Sequence, residues 1–110
     1  MDGVTLKIAR LGGVTRTAAL RDLAVELGLG VTVEDTGGAS IDTAAMVHLS
    51  LSTPDPHRTH TVDFARWVTV ANADGLPAPQ GGELAAPHGP GLGVAVREAD
   101  LGEPFYRTPA

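Results

Sequence analysis

The chain contains no cysteine, and seven of its eight basic residues are arginine, so Lys7 is its one lysine. Without cysteine there are no disulfides, no thiolate metal sites and no thiol catalysis. Positive charge is scarce as well: 8 basic against 13 acidic side chains leave a net charge of −5 over 110 residues. That balance argues against a general nucleic-acid or anionic-membrane surface, because phosphate binding needs clustered cations. No apolar run reaches the length of a membrane span, and the opening MDGVTLKIAR lacks the charged-then-apolar order of a signal peptide. A cytoplasmic protein is the expectation, with no membrane and no nucleic-acid partner. Hydrophobic residues make up 43%, which excludes wholesale disorder, and the length allows one small domain at most. Gly (14) and Pro (8) together form a fifth of the chain, mostly in its second half.

Residues 4–9, VTLKIA, are β-branched and aliphatic and predict a buried strand. After Gly12 and Gly13, Thr15 is a candidate N-cap for a helix over 16–27, and Gly28 is placed to end it in a left-handed turn. The apolar set Ala19, Leu20, Leu23, Ala24 and Leu27 follows helical spacing, with Arg16, Arg21, Asp22 and Glu26 on the other side. The pattern then repeats: a strand over 30–35, a Gly37-Gly38 break, Ser40 as a cap, and an amphipathic helix over 41–52. Thr53-Pro54-Asp55-Pro56 stops that helix, and 59–64 predicts a third strand. Lys7 to Glu34 is 27 positions and Glu34 to Asp63 is 29, the period of consecutive βα units feeding a parallel sheet. WVTVA (67–71) reads as one more strand-like run, followed by loop with short strands and a fraying end from Pro104 to Ala110.

Lys7 shares a strand face with Thr5 and Ala9, opposite Leu6 and Ile8. A lysine facing the interior is costly unless paired or neutral, and a neutral one is a usable general base. The competing reading is a lysine near a strand end that snorkels to water, and periodicity alone leaves the two even. Glu34 and Asp35 close the second strand, and Asp63 occupies the equivalent place on the third. In parallel βα architectures ligands meet the carboxyl ends of strands, so these acids are site candidates, while turn capping is the ordinary alternative. Lys7, Glu34 or Asp35, and Asp63 are thus expected near one face. His57 and His60, with Asp55 and Asp63, have metal-ligand chemistry, but in a loop their spacing does not align both rings. His48 reads as a hydrogen-bonded core residue, and Trp67 as packing rather than a stacking platform. The GPGLG run at 89–93 lacks the lysine and helix that a phosphate loop needs.

Four stretches, VTLKIARLGGVT (4–15), VTVEDTGGASIDTAAMVHLSLSTP (31–54), TVDFARWVTV (61–70) and GGELAAPHGPGLGV (81–94), resemble the C-terminal part of the enolase superfamily on its mandelate racemase and muconate lactonizing enzyme branch. Within the branch the VTVEDTGGAS segment is similar to that of cis-3-hydroxy-L-proline dehydratases and hydroxyproline-betaine epimerases. The resemblance implies an α/β fold: strands six to eight of a (β/α)8 TIM barrel with their helices, then an irregular Gly/Pro-rich tail. Residues 1–66 would be the partial barrel of three βα-type units, and 67–110 the strand and tail that return to a capping domain. It implies that Lys7 matches the family's sixth-strand lysine, which moves the α-proton of a small carboxylate substrate while Mg²⁺ holds the enediolate. It assigns Asp35, Glu34 and Asp63 to the substrate's polar end, and no metal ligand to this chain. Where some hydroxyproline-type relatives carry tryptophan this chain has Gly37, a departure that bears on an amine-bearing substrate.

The family is built from roughly three times this length, a barrel of ~250 residues plus a cap. Its second-strand lysine and its three metal carboxylates would lie before Met1, so the expectation is a C-terminal fragment of an Mg²⁺-dependent racemase, epimerase or dehydratase, inactive alone. The alternative is a non-catalytic remnant or interaction module that forms homo-oligomers through exposed strand edges. A cation bound at the acidic strand ends is a third reading.

Overall fold

A computed structural model describes residues 2–35, 37–64 and 67–108. Three parallel strands, β1 (Gly3–Lys7), β2 (Gly30–Glu34) and β3 (Arg58–Val62), form one sheet in the order β1-β2-β3. They alternate with helices: a single turn α1 (Ile8–Leu11), then α2 (Val14–Glu26) and α3 (Ser40–Leu51). Two strands of two residues, β4 (Ala73–Asp74) and β5 (Ala95–Val96), pair antiparallel in the tail. Arg97, just beyond β5, donates to Asp74 through Nε at 3.0 Å, and its guanidinium holds that carboxyl below the usual range.

The core lies between the sheet and the two long helices. Register pairs Val4 with Val31 and Leu6 with Val33, and partners in a parallel ladder share a face. Leu6, Val31 and Val33 are buried there against Ala24 of α2 and Met46, Val47 and Leu49 of α3. The other face carries the alternate residues, Thr5 beside Thr32 and Lys7 beside Glu34. Thr32 and Thr59 join their hydroxyls across it at 2.8 Å.

The repeating βα period is therefore present, with local differences. β1 stops at Lys7 rather than Ala9, because Ile8 begins the helical turn α1 that Gly12 closes with a left-handed φ of 84°. α2 starts at Val14 with Gly13 as its N-cap, so Thr15 lies inside the helix. Ser40 likewise falls within α3, whose N-cap is Ala39. Gly28 has the left-handed φ expected of it, 72°. WVTVA forms no strand over its described residues.

The larger difference is the rotation of α2. Its buried residues are Thr17, Arg21 and Ala24, while Leu20, Leu23 and Leu27 are exposed. Short side chains let a helix lie close to a sheet, and Thr17 adds a hydrogen bond from its hydroxyl to the Gly13 carbonyl at 2.8 Å. Arg21 is tolerated on this side because its Nη1 donates to Ser52 Oγ at 2.8 Å and its Nε to Asp22 at 2.5 Å. That ties α2 to the end of α3.

The tail is anchored by glycine geometry. Gly93 has a φ of 70°, and a Cβ there would come within 2.8 Å of the Pro87 carbonyl carbon. Only glycine allows that turn its close return. It brings the Leu92 carbonyl to 3.1 Å from His48 Nε2, so His48 is a half-buried, hydrogen-bonded helix residue.

Candidate functional site

Lys7 and Glu34 are the last residues of β1 and β2 and stand opposite each other in the parallel register. Both project away from the helices, and Lys7 Nζ donates to Glu34 Oε1 at 2.8 Å. The side chains retain 23% and 20% of their surface, which removes the pair from full solvent screening yet leaves it accessible. Phe64 follows β3, and its ring centroid lies 5.9 Å from Nζ, within cation–π range. Trp67 packs on Phe64 with centroids 4.8 Å apart and an interplanar angle of 48°. The carboxyl ends of all three strands therefore meet around one amine.

Asp35 and Asp63 are one residue further along their strands and gather elsewhere. Asp35 is buried; its Oδ1 accepts from the Gly38 N–H at 2.8 Å and its Oδ2 lies 3.3 Å from Thr43 Oγ1. The same hydroxyl is 3.2 Å from Asp63 Oδ1. One hydroxyl proton on α3 thus faces two carboxylates, on the helix side of the strand ends. The four residues expected near one face separate into two groups: Lys7 with Glu34, and Asp35 with Asp63.

The physical cause is strand periodicity together with a register shift. Glu34 continues the inward alternation of β2, so Asp35 turns toward the helices. On β3 the register moves from Val31↔Arg58 to Val33↔Thr61, an irregularity that lets Thr59 meet Thr32 while Thr61 meets Ser50 of α3. With Val62 opposite Glu34, Asp63 is carried to the side of Thr43. Thr43 and Phe64 had no place in the sequence reading. A threonine among alanines on the buried face of α3 is the one signal that could have marked the former.

Asp42, in the first turn of α3 and exposed overall, titrates above its ordinary 3.8, through partial desolvation of its carboxyl first and the charge of Asp35 second. The folded state then holds this proton more tightly than the unfolded chain. Its contribution to stability is full below 3.8 and falls as pH rises through the folded value. Asp42→Asn should raise stability at neutral pH by a few tenths of a kcal/mol, the ordinary range for an exposed position, and flatten that decline. Urea unfolding at about pH 4 and pH 7 checks it; a variant less stable than wild type at pH 7 contradicts it.

A cleft of about 760 Å³ lies away from Lys7. It runs along the outer edge of β3 between α3 and the 79–84 turn, lined by Val47, Arg58, His60 and Leu84 among others. It follows the edge of β3, which pairs on that side with no strand among the described residues. His57 Nδ1 is 3.0 Å from the Leu29 carbonyl, and His60 lies exposed in β3. Among the described residues no group of three or more His, Asp or Glu is placed to hold a metal ion.

Known proteins resemble this chain in sequence and in fold. Over 107 residues the chain is 40% identical to the cis-3-hydroxy-L-proline dehydratase of Roseibium aggregatum, covering 97% of this chain and 29% of that enzyme. A mandelate racemase/muconate lactonizing enzyme from Roseovarius nubinhibens ISM superposes with a TM-score of 0.84 at 33% identity, over 93% of this chain and 28% of that one. An enolase superfamily member from the same organism, complexed with magnesium, superposes with a TM-score of 0.85 at 32% identity, over 96% and 29%. The chain thus spans under a third of the length of these relatives. Residues 1–100 match the family model described as enolase C-terminal domain-like, and the chain belongs to that family.

Proposed function

We propose that this chain supplies the Lys7 side of an active site that moves the α-proton of a small carboxylate substrate, in a racemase, epimerase or dehydratase of the enolase superfamily. The observation that carries this reading is the one lysine of the chain, held at a strand's carboxyl end with its side chain mostly buried yet still open to solvent. An amine can give and take a proton at a carbon acid, which an arginine cannot. The strands correspond in this reading to the sixth, seventh and eighth of the barrel, with Lys7 on the sixth. The substrate is an amino acid or hydroxyproline-like acid, in line with the dehydratase likeness. Asp35 and Thr43 brace the turn after β2, and Asp63 joins them through the same hydroxyl on the helix side.

The described residues do not fit a Mg²⁺ site, since no ligand group converges among them. The Mg²⁺ of the complete enzyme would be held by residues outside these, and the role of this chain is confined to the proton.

Replacing the matching stretch of the Roseibium dehydratase by this chain tests the reading. The chimera should exchange the substrate α-proton with deuterium from D₂O, and the 110-residue chain alone with Mg²⁺ should not. A soluble, folded chimera without exchange refutes the proposal, and turnover by the chain alone refutes the division of roles.

A further inference from the structure

Resting on that reading, we infer that Glu34 is a positioning residue for Lys7 and not a ligand for the substrate. The geometry points to this from four sides. First, the two residues are in register on adjacent parallel strands, so backbone hydrogen bonding itself sets their side chains next to each other. A contact built on a strand ladder is far better determined than one between loop residues. Second, Glu34 Oε1 already accepts the Lys7 ammonium at 2.8 Å. A substrate ammonium reaching Glu34 would compete with that charge-assisted bond for the same carboxylate.

Third, the remaining contacts around Nζ complete a seat. Lysine loses about 2 kcal/mol of rotamer freedom when it is held in one place, so an acid/base lysine at a strand end needs something to hold it. Glu34 takes one of the three N–H groups, and the Phe64 face bounds another direction. Fourth, the pair is only a fifth exposed on each side, so its charges are screened less than those of the surface pair Asp55–Arg58. Asp35 and Asp63, which the sequence groups with Glu34, are bonded instead around Thr43 on the helix side, and neither replaces Glu34 in this seat.

The presence of a single lysine makes the seat directly observable. In the intact chain labelled with ¹⁵N-lysine, one side-chain ammonium signal arises, and its proton exchange with water reports whether Nζ is held. Glu34→Gln should speed that exchange at least tenfold while the backbone amide spectrum stays that of wild type. Glu34→Asp keeps the charge but withdraws it by one methylene, and should give an intermediate rate. A Glu34→Gln rate within twofold of wild type overturns the inference, as does a Glu34→Asp rate equal to wild type should the glutamine variant fail to fold.

In the chimera, Glu34→Gln should lower kcat for α-proton exchange tenfold or more with KM within twofold. A rise in KM at unchanged kcat would make Glu34 a substrate ligand and overturn the inference. Loss of the seat in the ¹⁵N experiment, together with full exchange activity in a Lys7 variant, would leave the positioning contact standing and refute only the proposed function.

Discussion

Lys7→Ala in the chimera is expected to lower α-proton exchange by about 10²–10⁴, the ordinary contribution of one positioned acid/base group. KM should move little, because the amine acts on the proton and not on substrate affinity. Lys7→Arg is the sharper variant. It keeps the positive charge, and its longer fork can still meet Glu34, so the fold and the ion pair survive. The guanidinium does not release a proton at neutral pH, and exchange should therefore be as low as in the alanine variant. Isotope exchange followed by NMR over a range of enzyme concentrations measures both. Exchange within tenfold of wild type in either variant removes Lys7 from the chemistry.

Stability should suffer most at Met46. It is 1% exposed and is the largest of the fully buried side chains, wedged between α3 and the sheet beside Val31 and Val33. Met46→Ala should cost about 2–5 kcal/mol, the transfer loss plus a cavity that rigid strands on one side cannot close. For a domain whose total stability is of order 5–15 kcal/mol, that is a large share. The denaturant midpoint should fall with little change in slope. A loss under about 1 kcal/mol would mean that the neighbouring side chains collapse into the space. Lys7→Ala, by contrast, removes a half-buried strand-end pair and leaves the core untouched, so the two variants separate catalytic from structural loss.

Much of the fold was legible in the chain itself. The 27-residue spacing of Lys7 and Glu34, the glycine breaks and the alternation of β-branched runs with helical spacing led to parallel βα units, and the sheet is built that way. These are local signals, decided within a few residues by sterics and propensity. The resemblance placed the chain in a family that residues 1–100 match. The orientation of α2 was not legible. Apolar periodicity selects Leu20, Leu23 and Leu27, whereas packing against the sheet selects Thr17, Arg21 and Ala24, which lie closer and find hydrogen bonds in α3.

The site divides in the same way. That Lys7 is the one lysine, that acids close the second and third strands, and that nothing here offers thiolate chemistry are properties of the sequence alone. Which acid meets the lysine was decided by tertiary structure. A side chain's face alternates every residue along a strand, so one position separates Glu34, bonded to Lys7, from Asp35, buried under Thr43. On β3 a shift in register carries Asp63 to the side of Asp35, and no local pattern in the chain encodes that shift. Pairing between strands fixes it, because register is a property of two segments and not of one.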